Sequence, residues 1–201
     1  PRFDASILHD GSMWAGRETE TWHGGLDSPE SSIGSWNASR SGYAFKKFMV
    51  ESIPPTGSSV KPENPWIYFR LAEFYLNYAE IMYELGDEET AREYINKVRG
   101  RQSVQMPPVT ATGLELRDKI RNERRVELAF EGHRFWDVRR WKEGDKHFKN
   151  IVEMKITKNG DDTYTYERKV KERSWDDKMY LFPIPDSEIR KNPNLIQNPG
   201  W

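Results

Sequence analysis

Residues Arg121–Trp141 read RNERRVELAFEGHRFWDVRRW, a strongly charged segment with a single internal glycine. With the residues just before it, the segment repeats apolar side chains at the spacing of one helical face. The expected core positions are Leu116, Ile120, Leu128 and Phe130. We therefore predict a helix over about 114–131, a break at Gly132, and a second short helix over HRFWDVRRWK (133–142).

Basic and acidic side chains are interleaved along this segment. Residues 115–142 contain nine basic and six acidic side chains. Acids at 123, 127 and 131 form one i, i+4 row, and arginines at 117, 121 and 125 form a row of opposite sign beside it. A surface for nucleic acid would not carry this many compensating carboxylates, so the pattern indicates ion pairs that join helices.

The sequence gives little support for a catalytic site or a metal site. Glu127 and Glu131 are spaced one helical turn apart, and such a carboxylate pair is what a glycosidase uses. The neighbouring arginines should lower the pKa of both carboxyls, whereas an acid catalyst needs a raised pKa. The four histidines lack metal-ligand spacing, and no phosphate-binding glycine motif occurs. We predict neither an enzyme nor a bound metal or cofactor.

Upstream of this segment, the sequence predicts a helical hairpin. Residues 65–86 read PWIYFRLAEFYLNYAEIMYELG, and 87–101 read DEETAREYINKVRGR. Gly86 suits a helix C-terminus, and Asp87 suits the N-cap of the next helix. The first apolar stripe is Leu71, Phe74, Tyr75, Tyr78, Met82 and Leu85, and the second is Ala91, Tyr94, Ile95 and Val98. Two such helices resemble a tetratricopeptide pair.

The N-terminal and C-terminal parts of the chain differ in composition and in hydrophobic periodicity. Residues 1–65 are rich in Gly, Pro and Ser without helical periodicity, which indicates a loop-rich segment that offers candidate ligand loops. Residues 66–201 are mainly helical, and EMKITKNGDDTYTYERKV (153–170) predicts a β-hairpin with Asn159-Gly160 at its turn. The fold class is mainly α, with long irregular loops and one small β-hairpin.

Composition excludes several classes of function. The 201 residues carry 31 basic and 32 acidic side chains, so the net charge of -1 gives no field that would attract nucleic acid or anionic lipid. The absence of cysteine excludes disulfides and thiolate sites within this stretch. No apolar run reaches the roughly 20 residues of a membrane-spanning helix. Aromatic residues nevertheless make up 13% of a chain whose mean hydropathy is -0.90.

Tryptophans in the loop-rich segment are the strongest candidates for ligand contacts. Flat aromatic rings stack on the CH-rich faces of sugars, while neighbouring polar side chains bind the hydroxyls. The alternative is that each ring only anchors its loop to the core. The candidate glycan-binding residues are Trp14, Trp22, His23, Trp36, Asn37 and Arg40.

Four segments of the chain resemble the SusD/RagB-like family of outer-membrane nutrient-binding lipoproteins. The most specific is Arg121–Trp141. The others are GSMWAG (11–16), PWIYFRLAEFYLNYAE (65–80) and LFPIPDSEIRKNPNLIQNPGW (181–201). Because Trp14 lies in a pattern shared by the family, it is a weaker ligand candidate than Trp22 or Trp36. In the signature segment, the residues that match the family pattern and are expected to form structural ion pairs are Arg124, Arg125, Glu127, Glu131, Arg134 and Asp137.

The resemblance implies a function and a setting. Family members are longer, so this chain is expected to be the C-terminal part of a larger protein whose lipidated N-terminal cysteine lies upstream. They lie at the cell surface in the outer membrane, bind oligosaccharides without catalysis, and deliver them to a TonB-dependent, SusC-like transporter during polysaccharide utilisation. Glycan contacts come from variable loops, so no binding residue transfers by motif. The alternative is a docking module for the transporter complex that contacts no glycan itself.

Overall fold

The computed structural model describes residues 2–33, 38–53, 63–64 and 67–201. Over these ranges the chain forms seven α-helices and three two-stranded antiparallel sheets. The helices are α1 (Arg2–Ser6), α2 (Leu71–Glu84), α3 (Glu88–Arg99), α4 (Gly113–Glu127), α5 (His133–Arg140), α6 (Gly144–Phe148) and α7 (Asp186–Lys191). The strands are β1 (Ile7–Leu8), β2 (Met13–Trp14), β3 (Arg17–Glu18), β4 (Ala44–Phe45), β5 (Asn150–Lys158) and β6 (Tyr164–Glu172). The mainly helical fold class is confirmed.

Helices α2 and α3 form the predicted hairpin, and the turn between them follows from two residues. Gly86 has φ 84°, a left-handed conformation that favours glycine, and its N–H donates to the Tyr83 carbonyl. The Asp87 N–H donates to the Met82 carbonyl, and the Asp87 side chain accepts the Thr90 N–H at 3.0 Å. The predicted stop and cap are both confirmed.

The predicted apolar stripe of α2 is wrong for four of its six positions. The buried residues of α2 in the core cluster are instead Ala72, Leu76 and Ala79. Most of the larger predicted side chains are exposed, although the Tyr78 ring still packs on Tyr94 of α3, with 4.4 Å between ring centres. Leu71, Phe74, Tyr78 and Leu85 are exposed by 62%, 56%, 39% and 73%. Tyr75 and Met82 do pack against the core, as predicted.

Helix α4 crosses this hairpin and completes the core. Leu116, Ile120 and Leu128 are buried as predicted. The helix itself ends at Glu127, earlier than expected, and Phe130 is wrong as a core position because it is 49% exposed. Phe130 has φ 64° and lies in the turn after α4, where its ring packs edge-on against Phe45 at 4.9 Å. Gly132, with φ 81°, separates this turn from α5.

Strands β5 and β6 form the predicted hairpin and meet the N-terminal loops. Asn159 and Gly160 lie in a five-residue connection, in which the Asn159 N–H donates to the Thr163 carbonyl at 2.8 Å. Backbone bonds tie β5 to the loops: the His23 N–H donates to the Ile156 carbonyl, and the Met154 N–H to the Ser41 carbonyl. In the described part of the chain, no helix has the length and apolar character needed to span a bilayer.

Candidate functional site

The acidic row of α4 is the centre of a buried ion-pair network. Glu127 lies 2.7 Å from Arg70, 2.8 Å from Arg101 and 3.1 Å from Arg2, measured between guanidinium nitrogens and carboxylate oxygens. Glu131, in the turn after α4, contacts Arg70 at 2.6 Å. The side chains of both glutamates are less than a tenth exposed. The partners therefore come from distant segments of the chain, as expected for ion pairs that join helices.

Charge and burial act in opposite directions on these carboxyls. Burial alone would raise the pKa of Glu127, but the Arg70 hydrogen bond and the nearby Arg101 charge hold that pKa below its ordinary value. Burial also opposes ionisation of Glu131, yet hydrogen bonds from Arg70 and Lys47 lower its pKa. The predicted lowering of both pKa values is confirmed. Both groups are ionised at neutral pH and act as anchors for the segments that contact them.

The six residues expected to form structural ion pairs divide into two groups. Arg124 contacts Asp137 at 3.1 Å, and together with Glu127 and Glu131 these residues belong to the buried network. The side chains of Arg125 and Arg134 make no ion pair or hydrogen bond with any residue that the structure describes. They lie close enough for the Arg125 charge to oppose that of Arg134.

The loop that carries Trp22 and His23 is held rigidly by its own polar side chains. Arg17 donates to both carboxylate oxygens of Asp27, at 2.8 and 2.6 Å, and the Glu20 N–H donates to Asp27 at 2.8 Å. Burial would raise the pKa of Asp27, but the Arg17 hydrogen bond keeps it low. Ser28, which is fully buried, accepts the Gly24 N–H. The loop is thus a compact, internally bonded turn.

A polar groove of about 480 Å³ lies between this loop and strand β5. His23 and Glu30 line one side, with 3.3 Å between the histidine Nδ1 and a carboxylate oxygen, and Arg40 lines the groove as well. The hairpin supplies Lys155 and Lys169 to the lining. Donors and acceptors of both charges therefore converge on one space, as the recognition of a polyhydroxylated ligand requires.

Gly42 is needed where the loop meets the hairpin. A Cβ at this position would lie 2.6 Å from the Met154 carbonyl oxygen, and the residue has φ 77°. Both the close approach and the left-handed backbone favour glycine. This contact places the loop directly against β5 and so sets the width of the groove.

The structure brings together only part of the predicted glycan site. His23 and Arg40 share the groove lining. Trp22 is half-buried outside that lining; its ring packs on Gly25, and the Lys158 ammonium lies 5.7 Å from the ring centre. Trp14 lies on β2, paired with Arg17 of β3. Trp36 and Asn37 lie outside the described residues.

Comparison with known proteins places this arrangement in a family. The model of the SusD family matches residues 1–201. The chain belongs to the SusD family. It is 33% identical to SusD-like protein P2 of Formosa agariphila over 147 residues, which are 68% of this chain and 26% of that protein. It is 28% identical to the starch-binding protein SusD of Bacteroides thetaiotaomicron over 158 residues, 73% of this chain and 23% of that protein.

A solved SusD-family structure has the same fold. A SusD-like protein from Bacteroides fragilis superposes on the whole chain with a TM-score of 0.82 and 34% sequence identity, and the match covers 39% of that protein. The chain therefore spans about a quarter of the length of the curated SusD-family relatives and two fifths of this solved one.

The hairpin side of the groove was missed by the sequence analysis of this SusD-family chain. Lys155 and Lys169 lie on neighbouring strands of the hairpin, and both line the groove. A signal was present in the alternating polar residues of β5 and β6. Nothing local in that signal pairs the hairpin with a loop that lies more than a hundred residues earlier in the chain.

Proposed function

We propose that the protein binds oligosaccharide nutrients without catalysis at the outer membrane and delivers them to a TonB-dependent, SusC-like transporter. The observation that carries the proposal is the polar groove between the His23 loop and strand β5. SusD-family membership supports it, and one family relative is named a starch-binding protein. The larger family protein would be displayed at the cell surface through a lipidated N-terminus.

The groove has the chemistry that sugar hydroxyls need. A hydroxyl both donates and accepts, so it can bond simultaneously to a carboxylate such as Glu30 and to a cation such as Arg40. Trp22 and Trp36 remain the candidates for an aromatic face that stacks on a sugar ring. An open polar groove holds a ligand weakly, because much of the sugar keeps its hydration, and weak binding suits handover to a transporter.

The experiment is a calorimetric titration of His23→Ala and Arg40→Ala with a panel of neutral oligosaccharides, starting with maltooligosaccharides. Each variant should weaken binding by about tenfold, the effect of one or two lost hydrogen bonds to a ligand. Trp22→Ala and Trp36→Ala test the stacking faces in the same assay. Arg117→Ala is the matched control, because Arg117 lies on α4 and pairs only with its neighbour Asp118 in the described structure. Unchanged affinity in all four site variants, with intact folding, would refute the site.

The docking alternative is favoured by a different observation. The outer side of α2 exposes Leu71, Phe74, Ile81 and Leu85, an apolar face suited to another protein surface. A docking module that contacts no sugar would give no heat with any oligosaccharide of the panel. A measurable affinity that His23→Ala reduces would reject this alternative in favour of glycan binding.

A further inference from the structure

A second cavity, separate from the polar groove, lies among helices α4, α5 and α6. It has a volume of about 170 Å³. Arg121 and Arg125 of α4, Arg134 of α5 and Lys146 of α6 line it, with Asp118 and Glu143 as its carboxylates. Ligand pockets for drug-sized molecules start near roughly 300 Å³, so this cavity suits a single small group.

Both carboxylates of this cavity already have a cationic partner. Glu143 accepts from Arg121 at 3.0 Å and contacts the His147 ring at 3.1 Å, while Asp118 accepts from Arg117 at 3.1 Å. Asp137, the next carboxylate along α5, is held by Arg124. The positive charges at the cavity therefore outnumber the carboxylates that could neutralise them.

Three guanidinium groups retain unused hydrogen-bonding capacity. Neither Arg125 nor Arg134 has an ion pair or hydrogen bond within the described ranges. The Nε of Arg121 is buried and lacks a hydrogen-bond partner there. The indole of Trp141 keeps two of these groups in place, since the Arg121 and Arg134 guanidinium carbons lie 4.8 and 6.0 Å from a ring centre of Trp141. Buried donors such as the Arg121 Nε–H are normally satisfied.

We propose that this cavity binds one small oxyanion, a sulfate, phosphate or carboxylate group, between Arg125, Arg134 and Arg121. Planar guanidinium forks match the oxygens of such groups, and a charge-assisted hydrogen bond is about twice as strong as a neutral one. The inference does not depend on glycan binding in the groove. The anion can be a free inorganic ion or the acidic group of a sugar or side chain, and these sources share the same contacts.

The electrostatics of neighbouring groups agree with this assignment. Burial, followed by the charge of Arg125, lowers the pKa of Arg134. Burial and the charge of Arg134 likewise lower the pKa of the His147 ring, against the hydrogen bond to Glu143 that raises it. A bound anion would offset the positive potential that both groups experience, so it should raise the pKa of His147.

The test follows the arginine Nε–H and histidine ring signals by NMR during titration with sodium sulfate, sodium glucuronate and glucose at constant ionic strength. Sulfate and glucuronate should give saturable shifts at Arg121 and Arg134 and should raise the pKa of His147. Glucose, which has no charge, should leave these signals unchanged. Tighter binding of glucuronate than of sulfate would identify an acidic sugar or side chain as the source of the anion. Tighter binding of sulfate would identify a free inorganic ion.

Variants decide whether the arginines are responsible. Arg125→Gln, at an exposed position that should not disturb folding, is expected to weaken binding by about tenfold, the contribution of one charge-assisted bond. Arg134→Gln should have a similar effect if it folds. Lys119→Gln removes the same charge from α4 outside the cavity and should leave affinity unchanged. The proposal would be overturned if Arg125→Gln and Lys119→Gln lost equal affinity for the anion, or if Arg125→Gln kept wild-type affinity. NMR shifts that never saturate would overturn it as well.

Discussion

Substitution of Glu127 by Gln tests the buried network most directly. The change keeps the shape of the side chain but removes the charge that faces Arg2, Arg70 and Arg101. The first two arginine side chains are 15% and 22% exposed, so their ion pairs are shielded, whereas Arg101 is 38% exposed and contributes less. Removing one partner of a shielded ion pair lowers the free energy of unfolding by about 3 kcal/mol, because the other charge stays buried without a partner. For a chain of this size, that loss lowers the melting temperature by roughly 6–12 °C.

The assay is urea unfolding followed by circular dichroism, at neutral and at acidic pH. The pKa of Glu127 is lowered in the folded protein relative to its ordinary value of 4.5. Its contribution is therefore complete above pH 4.5 and is lost as the pH falls below that value. The stability difference between wild type and Glu127→Gln should shrink in the same window.

A matched control separates this effect from a general loss of charge. Glu115 lies on the same helix, is 69% exposed and is 3.8 Å from Lys119. Glu115→Gln should change the free energy of unfolding by less than about 0.5 kcal/mol. If the two variants are equally stable, or if the Glu127→Gln deficit grows in acid, the network does not anchor the fold in the way we describe.

Three further changes test the packing. Leu76→Ala should lower the free energy of unfolding in urea by about 2–5 kcal/mol, because the side chain is fully buried. Leu85→Ala, at the exposed end of α2, should lower it by less than about 0.5 kcal/mol. Equal losses would contradict the buried side assigned to α2. Ala79→Leu should lower the unfolding midpoint by overpacking the α2–α3 contact, at about 1–3 kcal/mol, and a more stable variant would reveal unfilled space there. Gly42→Ala should weaken oligosaccharide binding in calorimetry, because its Cβ would displace the Met154 backbone; full affinity would mean that the groove tolerates that shift.

Local sequence signals predicted where helices and turns occur better than which face of each helix is buried. The Gly86-Asp87 turn was predictable because its conformation and hydrogen bonds involve only residues close in sequence, from Met82 to Thr90. The inner face of α2 was not, because both faces carry apolar residues and the larger ones, such as Phe74, dominate any count of hydrophobicity. Contact with α3 selects the small Ala79, whose fit depends on a partner helix.

The candidate site was predictable only in part, for a similar reason. His23 and Arg40 were chosen for their residue types, and both line the groove. Lys155 and Lys169 could not be chosen in the same way, since their place in the lining depends on backbone bonds between β5 and a distant loop. The acidic partners of Arg70 were likewise visible as a row on α4, but the pairing itself is a product of the tertiary fold.

The two walls of the groove come from stretches of chain that are far apart in sequence. Ligand binding at the groove is therefore linked to the free energy of unfolding. The lining residues within 21–30 and 39–42 meet those within 153–169 only in the folded protein, so the unfolded chain has no such groove. A ligand present at 100 times its dissociation constant therefore raises the free energy of unfolding by about 2.7 kcal/mol through mass action alone. A weakly bound oligosaccharide would therefore raise the melting temperature, and candidate ligands for the proposed site can be screened by thermal unfolding.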